Sequence, residues 1–387
     1  MADQTWWVKP ADLKPEQKKV VGLPDDKNFL VLGPPGSGKT NLLLLRAAYL
    51  SSNKRPYWAL LVFTSTLRDF IALGVEQYKL DPSKVLTFMG FGLRLLREHN
   101  VDVNDLPEEF EPRRLAIVAE LKKLIALKPG LKGHLECILV DEIQDCLADE
   151  IELFCFLGKN VFFVGDNRQR IYKGDEVIGL AASKVSETIQ LKFHYRNGRK
   201  ICKAADVVGK TSGELPISPD SNYDETKAPS SVHFLHCDDE EEIVQTLEDQ
   251  VVSQLKAYPD ERIAIACPRG QDVGALRTRL ESSAIRDSLI PEKDGLRLAE
   301  ERRVFLCKTH SLKGTEFRAV NLVHMEGMSK LGDAQKRISY TAFTRAKTVL
   351  AVYWKGKLPP HLQAVRAAFE DSASKVDLDG LFGGGDE

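Results

Sequence analysis

Short apolar runs alternate with helix-like segments along the first half of the chain. Residues 113–127 form one helix-like segment, in which apolar residues recur every three or four positions. The apolar runs are NFLVL (28–32), ALLVFTST (59–66), KVLTF (84–88), CILVDE (137–142) and VFFVGD (161–166). Strands that are buried on both faces of a parallel sheet have this character, and helices connect them. The pattern predicts an α/β domain over residues 1–175.

A second series of the same kind follows. A helix-like segment at 239–258 accompanies the apolar runs SVHFLHC (231–237), RIAIACP (262–268), VFLCKTH (304–310), AVNLVHM (319–325) and TVLAVYWK (348–355). This series predicts a second α/β domain over residues 176–370, and a length of 387 residues suits two domains. The tail at 371–387 is rich in Gly, Ser and Asp, a composition that predicts disorder.

The composition restricts the kinds of site that the chain can carry. Its 54 basic and 56 acidic residues give a formal charge of −2, so a nucleic-acid site would have to be a local basic groove. No apolar run is long enough to span a membrane, and seven cysteines without a C-x-x-C pair predict a reduced, cytoplasmic protein. Cys137, Cys146 and Cys155 lie nine residues apart, which would allow a metal site, but their apolar neighbours favour packing as small apolar residues.

The segment GPPGSGKT at 33–40 has the spacing of a phosphate-binding loop, with a strand before it and a helix after it. Glycines at three positions let backbone N–H groups turn towards a phosphate at the start of the helix. Lys39 would add a positive charge for the β- and γ-phosphates, and Thr40 a hydroxyl ligand for Mg²⁺. The predicted nucleotide-binding residues of this loop are Gly33, Pro34, Pro35, Gly36, Ser37, Gly38, Lys39 and Thr40.

Two adjacent carboxylates follow the apolar run that ends at Val140. Carboxylates in such a position are costly to bury unless a cation or a catalytic role offsets the cost. Asp141 is placed to hold Mg²⁺ through water, and Glu142 is placed to deprotonate the attacking water. Together with the phosphate loop, this pair predicts an ATP hydrolase.

Further motifs occur in an order that resembles the UvrD/Rep-like superfamily 1 helicases, here in a minimal form. The motifs are LKPEQKKVV (13–21), VFTSTLRDF (62–70), TFMGFGLRLL (87–96), DEIQD (141–145), VGDNRQRIY (164–172), LKFHYRN (191–197), KTHSLKGTEFRAVNLV (308–323) and RISYTAFTRAKTVLAV (337–352). The resemblance covers most of the chain. It implies two RecA-like P-loop NTPase domains with parallel sheets, and ATP bound in the cleft between them.

The resemblance also implies a role for individual residues. The residues that would act on the nucleotide are Gln17 (adenine), Tyr195 (stacking on adenine), Gly314 and Glu316 (nucleotide and ribose), Gln169 (γ-phosphate or attacking water), and Arg196 and Arg345 (arginine fingers from the second domain). Candidate contacts with single-stranded DNA are Phe63, Thr64, Thr87, Phe91 and His310. ATP and Mg²⁺ are the implied cofactors.

The chain departs from the family pattern at several places. Met89 and Gly90 replace a His-Ser pair, and Tyr172 is followed by Lys173-Gly174-Asp175 where the family has an aromatic residue that stacks on a base. The intervals in which larger relatives carry accessory domains are short, at about 97–136 and again before residue 304. These departures predict a minimal motor core whose unwinding depends on a protein partner, such as a nuclease, a loader or a clamp-like protein.

Three functions stay open on the sequence. The leading prediction is an ATP-dependent translocase or helicase on single-stranded DNA, moving 3′ to 5′ by resemblance. The second is an ATP-gated, DNA-binding switch subunit of a larger complex that contains, for example, a nuclease. The third is a motor that acts on RNA. The peptide DLDGLF at 377–382 loosely resembles peptides that dock on a clamp-like partner, but its setting favours a solvated tail over a docking peptide.

Overall fold

Two parallel β-sheets, each accompanied by helices, make up the protein. The computed structural model describes residues 10–166, 177–210, 216–290, 302–328 and 332–373. The described chain divides into two compact units, the first up to Arg196 with Lys313–Thr315 and the second containing the rest. The predicted α/β class with parallel sheets is confirmed.

The first unit is built on a six-stranded sheet with the order β3-β2-β4-β5-β1-β6, in which every pair is parallel. Its strands are β1 (Phe29–Leu32), β2 (Trp58–Val62), β3 (Val85–Thr87), β4 (Leu135–Val140), β5 (Gly158–Gly165) and β6 (Glu187–Gln190). Its helices are α1 (Pro15–Val21), α2 (Lys39–Ser52), α3 (Ser65–Gln77), α4 (Phe88–Glu98), α5 (Phe110–Leu127), α6 (Ala148–Leu157) and α7 (Val177–Ser183). All five residues of β2 are buried, as expected for a strand covered on both faces.

The second unit contains a five-stranded parallel sheet with the order β7-β11-β10-β8-β9. Its strands are β7 (Ser231–His236), β8 (Ile263–Cys267), β9 (Val304–Lys308), β10 (Phe317–Leu322) and β11 (Ala346–Trp354). Its helices are α8 (Arg199–Lys210), α9 (Glu240–Ala257), α10 (Gly270–Leu280), α11 (Gly332–Phe343) and α12 (Pro360–Ala373). Strand β10 is the central strand, between β11 and β8, and its Val320 lies opposite Ala264 of β8.

The first unit extends beyond the predicted boundary at residue 175. Strand β6 pairs with β1, with Leu30 opposite Thr188, and therefore belongs to the first sheet. Its sequence ETIQ is mostly exposed at the sheet edge and contains a single apolar residue. An edge strand of this kind has no apolar run to reveal it, so the boundary falls after Arg196 and not after residue 175.

A buried polar network crosses the core of the second unit. Asn321 in β10 exchanges side-chain hydrogen bonds with Gln254 at 3.1 and 2.9 Å, and the hydroxyl of Tyr353 donates to the Asn321 Oδ1 at 3.1 Å. All three side chains are at least 95% buried. Because each amide of the network has partners, the apolar sheet core tolerates these polar groups, and they fix α9 and β11 against β10.

His361 makes the stability of the second unit depend on pH. It is buried at the start of α12, where its Nε2 lies 3.1 Å from the Ser339 Oγ. Burial, with a smaller contribution from the charge of Lys336, lowers the pKa of His361 to about 4 from its ordinary 6.5. Between pH 4 and pH 6.5 the histidine is therefore neutral in the folded protein and protonated in the unfolded chain. The stability that His361 contributes is complete above pH 6.5 and is lost as the pH falls towards 4.

We expect wild-type protein to lose about 1–2 kcal/mol of unfolding free energy from this group between pH 6.5 and pH 4, after allowance for solvent screening. Urea unfolding at a series of pH values, with His361→Gln alongside, measures it. The variant should show a shallower fall below pH 6.5 than wild type. Equal slopes for the two proteins would show that His361 does not carry the effect.

The remaining sequence predictions concern membrane-spanning segments, the cysteines and residues outside the described ranges. None of the helices in the described ranges combines the length and apolar character that a membrane crossing requires. All seven cysteines are free thiols, and burial is the main cause that raises the pKa of Cys137 to about 12. Gln169, the Lys173-Gly174-Asp175 segment and the tail from residue 374 lie outside the described residues.

Candidate nucleotide and DNA site

The phosphate loop connects β1 to α2 at the carboxyl edge of the first sheet. Gly36 and Gly38 have positive φ angles of 78° and 87°, which L-residues with side chains rarely adopt. At Gly33 a Cβ atom would lie 2.8 Å from the Ser37 Oγ and 2.9 Å from the Cβ of Leu191. The loop therefore needs glycine at these three positions, for its backbone turn in two cases and for close packing in the third.

The loop holds a polar atom that fits a bound phosphate. The Ser37 side chain is 1% exposed, and its hydroxyl has no hydrogen-bond partner within the part of the chain that the structure describes. Buried hydroxyl groups without a partner are rare because each costs free energy. A phosphate oxygen in the turn of the loop would supply the missing acceptor, as the backbone N–H groups there would supply donors.

Lys39 is the buried cation of the loop. Its side chain is 9% exposed, and its Nζ donates hydrogen bonds to the carbonyl oxygens of Gly33 at 2.7 Å and Pro34 at 3.0 Å. Burial lowers the pKa of Lys39, while the nearby charges of Asp166, Glu142 and Asp141 raise it in part. An ammonium group that is held by two neutral carbonyls and surrounded by carboxylates is a ready partner for phosphate oxygens.

Thr40 and Asp141 form the oxygen-rich part of the site. The Thr40 hydroxyl donates to the Asp141 Oδ2 at 2.7 Å, and this carboxylate follows strand β4 directly. Burial and the neighbouring charge of Glu142 raise the pKa of Asp141 to about 7. A hydroxyl and a carboxylate beside a phosphate loop are ligands that suit Mg²⁺, which keeps several waters and uses one or two protein carboxylates. The residues present therefore fit the ion.

Glu142 adopts a left-handed backbone conformation, with φ 53° and ψ 46°. Such a conformation is uncommon for a residue other than glycine, and in an active site it is a sign of an imposed position. The Glu142 Oε2 accepts a hydrogen bond from the Gln144 side-chain amide. The oxygen of the same amide group, Gln144 Oε1, accepts a hydrogen bond from the backbone N–H of Asp166 at 2.9 Å. Gln144 thus connects the carboxyl ends of β4 and β5 and orients Glu142, a role that sequence analysis missed.

Gln17 lies against the phosphate loop. Its Nε2 donates to the carbonyl oxygen of Ser37 at 3.1 Å, and its Oε1 accepts from the backbone N–H of Lys14 at 3.1 Å. The side chain is 6% exposed. The structure therefore brings Gln17 to the loop, while its predicted contact with adenine stays a prediction.

Asp145 of the DEIQD motif takes part in a buried ion pair. Lys313 donates to the Asp145 Oδ2, and both side chains are at most 3% exposed. Burial is the largest cause that raises the pKa of Asp145 to about 6, against the lowering effect of Lys313. Gly314 follows with a φ of 78°, and a Cβ there would lie 3.0 Å from Leu67. Gly314 thus packs closely against α3, and its contact with the nucleotide stays a prediction. Lys313 has no role in the sequence-based predictions, yet it pairs with the DEIQD motif.

Tyr195 and Arg196 belong to the first unit, and not to the second domain in which the sequence analysis placed Arg196. The backbone N–H of Tyr195 donates to the carbonyl oxygen of Gly36 at 3.0 Å. Burial is the main cause that lowers the pKa of Lys39, and the charge of Arg196 contributes to the lowering. The continuation of the chain from β6 explains both positions, because β6 is a strand of the first sheet.

Glu316 and Arg345 lie in the second unit, at the starts of β10 and β11. Glu316 pairs with Lys347 at 3.3 Å. Arg345 is 2% exposed, and its Nε donates to the carbonyl oxygen of Thr341 at 3.1 Å. Their predicted nucleotide contacts stay predictions.

The five predicted DNA contacts have different environments. Thr64 and Thr87 cap helices α3 and α4, accepting from the backbone N–H of Leu67 at 3.1 Å and of Gly90 at 3.0 Å. His310 is exposed, and Phe63 is partly buried.

Phe91 is 8% exposed within the apolar core of the first unit. The prediction that it stacks on DNA is therefore not supported by its position. Phe88, Phe91 and Leu95 recur at helical spacing on one face of α4, and this spacing is the signal that assigns Phe91 to the core.

Part of the sequence matches known proteins. Residues 17–175 match a family model described as an AAA domain, AAA_19. Over 108 residues the chain is 39% identical to DNA helicase II of Salmonella typhimurium (strain LT2) and of Escherichia coli (strain K12). These alignments cover 26% of this chain and 14% of each relative, so the chain spans about one seventh of the length of those relatives. The matches show that part of the chain is similar to an AAA domain and to DNA helicase II.

A comparison of folds gives a weaker likeness. The C-terminal domain of a possible DNA helicase from Lactobacillus plantarum WCFS1 is 23% identical, with a TM-score of 0.33. The match covers 45% of this chain and 95% of that domain. A likeness of this degree carries no argument about this chain.

The buried ion pair between Arg114 and Glu150 contacts the DEIQD segment. The Arg114 guanidinium donates to both carboxylate oxygens of Glu150, at 2.6 and 2.5 Å, and to the carbonyl oxygen of Asp145 at 2.8 Å. Both side chains are at most 3% exposed. Loss of one partner would leave the other charge buried and unpaired, which costs far more than loss of an exposed pair.

We expect Glu150→Gln to lower the free energy of unfolding by about 3–5 kcal/mol. Asp149→Asn is the matched control, because its 2.5 Å pair with Lys122 is about half exposed, and it should cost at most about 1 kcal/mol. Urea unfolding measures both. The double variant Arg114→Met, Glu150→Met should cost less than Glu150→Gln alone. A loss in Glu150→Gln no greater than that in Asp149→Asn would contradict the assignment.

Proposed function

We propose that this protein hydrolyses ATP and uses the energy to move along single-stranded DNA, as a translocase or helicase. One observation carries the proposal: a glycine loop with a buried lysine meets two strand-end carboxylates, one hydrogen-bonded to the Thr40 hydroxyl and the other oriented by Gln144. The match of residues 17–175 to an AAA domain and the partial similarity to two proteins named DNA helicase II support it.

The residues of the site have separate roles in this mechanism. Loop N–H groups and Lys39 hold the phosphates and offset the negative charge that grows in the transition state. Glu142 accepts the proton of the attacking water, and the Gln144 amide holds the accepting carboxylate in place. Thr40 and Asp141 would hold Mg²⁺, which when bound neutralises phosphate charge. A cation there would favour the ionised form of Asp141, opposing the burial that raises its pKa to about 7.

A second candidate is an ATP-gated DNA-binding subunit that needs a protein partner for work on duplex DNA. The observation in its favour is the content of the interval between α4 and β4. This described interval holds α5 and one short 3₁₀ turn, Pro129–Leu131, and no accessory domain. Both candidates use the same ATP site.

Displacement of streptavidin from end-biotinylated oligonucleotides separates the two candidates. We expect a translocase to displace streptavidin from one end only, the 5′ end for 3′ to 5′ movement, and to need ATP. Glu142→Gln is the control that retains the fold and lacks hydrolysis. Binding to the oligonucleotide without displacement from either end would favour the ATP-gated subunit, and an absence of binding would contradict both candidates.

A further inference from the structure

An aromatic pair lies at the edge of the first sheet, outside the nucleotide site. Phe63 directly follows β2, and Phe110 is the first residue of α5. Their ring centroids are 5.8 Å apart with an interplanar angle of 66°, an edge-to-face contact. Phe110 is 41% exposed. The Phe63–Phe110 pair therefore presents an aromatic surface to solvent.

The pair lies at the carboxyl ends of the strands, as the phosphate loop does. Strands β2, β4 and β5 are parallel neighbours, and Phe63, Asp141 and Asp166 each come directly after the carboxyl end of one of them. In open α/β sheets, ligands bind at this edge. A strand of nucleic acid that crosses the first unit at this edge would meet the Phe63–Phe110 pair.

The pair has a rigid support. The Arg114 guanidinium lies 4.9 Å from the centroid of the Phe63 ring, where the cation and the aromatic face attract each other. Arg114 is in turn fixed by Glu150 and by the carbonyl oxygen of Asp145 in the DEIQD segment. Few rotatable groups remain to be ordered when a ligand binds, which favours binding. The same contacts link the aromatic surface to the segment that carries Glu142.

We propose that the Phe63–Phe110 pair is a stacking site for a nucleobase of single-stranded nucleic acid, with Phe110 as its exposed face. The inference rests on the proposed function and adds to it a residue that lies outside every motif identified in the sequence. Base–aromatic stacking accepts all four bases, so the site would bind the strand without sequence specificity. It would supply a stacking contact in the first unit.

The charges around Phe110 favour binding of a base over binding of a phosphate. Glu108, Glu109 and Glu111 are exposed on either side of it. Three carboxylates repel a phosphate and have little effect on a neutral base, so the base enters the site and its phosphate stays outside. The contribution of Phe110 to affinity should therefore be nearly independent of salt, in contrast to that of lysine and arginine contacts with phosphates.

The proposal is tested by the affinity of the full chain for a fluorescein-labelled oligo(dT), measured by anisotropy. We expect Phe110→Ala to bind about ten-fold more weakly than wild type, and Phe110→Trp to bind at least as tightly as wild type. Leu115→Ala is the matched control, because Leu115 is 56% exposed on the same helix and lies outside the pair, and it should bind like wild type. Circular dichroism confirms that each variant is folded.

Salt dependence distinguishes stacking from a loss of charge contacts. The slope of log affinity against log salt concentration should be the same for Phe110→Ala and wild type. If wild type binds and Phe110→Ala binds equally well, the stacking site is excluded while the proposed function stands. The site is equally excluded if Phe110→Ala and Leu115→Ala weaken binding to the same extent. If wild type does not bind oligo(dT) at all, the proposed function itself fails.

Discussion

Replacement of Glu142 by glutamine is expected to abolish ATP hydrolysis and to leave ATP binding intact. Glutamine has the shape of glutamate but cannot accept a proton, so the step that activates water is lost while the phosphate loop is unchanged. The left-handed backbone at Glu142 and its hydrogen bond from Gln144 fix the position of the carboxylate, which is the arrangement a general base requires. General base catalysis contributes about 10²- to 10⁴-fold, and we expect a loss in kcat of that size.

Single-turnover hydrolysis and the affinity for a fluorescent ATP analogue measure the two effects separately. Glu152→Gln is the matched control, because Glu152 is half exposed on α6 in a pair with Lys184, and it should retain wild-type activity. Gln144→Ala should lower kcat less than Glu142→Gln, since it loosens the base without removing it. If Glu142→Gln fails to bind the analogue, Glu142 serves the structure of the site and is not its base.

Replacement of Lys39 by methionine is expected to remove both ATP binding and hydrolysis. Lys39 is 9% exposed and is held at the loop by two carbonyl oxygens, so its charge is directed at the position of the phosphates. Methionine keeps the length of the side chain and most of its volume, and removes the charge. We expect kcat/KM for ATP to fall by at least about 10²- to 10³-fold, the cost of one donor that stabilises transition-state charge.

Lys27→Met is the control for this variant, because Lys27 is exposed in the same unit and should be replaced without effect. Steady-state phosphate release measures the activity, and equilibrium binding of the ATP analogue measures the affinity. Circular dichroism checks that Lys39→Met is folded, because the change leaves Asp141, Glu142 and Asp166 without the nearby charge of Lys39. Wild-type hydrolysis in Lys39→Met would exclude this loop as the phosphate site.

The sequence predicts the parts of the fold and site that depend on local pattern. The phosphate loop, the two carboxylates after β4 and the parallel sheets follow from glycine spacing and from apolar runs of strand length. Strand β6 was missed because ETIQ is an exposed edge strand, and the domain boundary was consequently placed too early. Phe91 was assigned to DNA by its motif, although the apolar spacing of α4 places it in the core.

Other features depend on residues that are distant in the sequence and could not be read from it. Gln144 bridges two strand ends, with Asp166 as its backbone partner 22 positions away. Lys313 pairs with Asp145 across 168 positions, and Arg114 reaches Glu150 across 36. These contacts arise from the tertiary fold, which brings separate segments of the chain together. Local sequence shows that such residues are polar, and the fold alone shows what they contact.

The central claim is that ATP hydrolysis in this protein responds to single-stranded DNA, and the steady-state ATPase rate tests it most directly. The rate is measured with and without a saturating single-stranded oligonucleotide, for wild type and for Glu142→Gln. We expect the oligonucleotide to raise the wild-type rate ten-fold or more and to have no effect on the inactive variant. A wild-type rate that does not change when DNA is added would contradict the claim that hydrolysis drives movement along DNA.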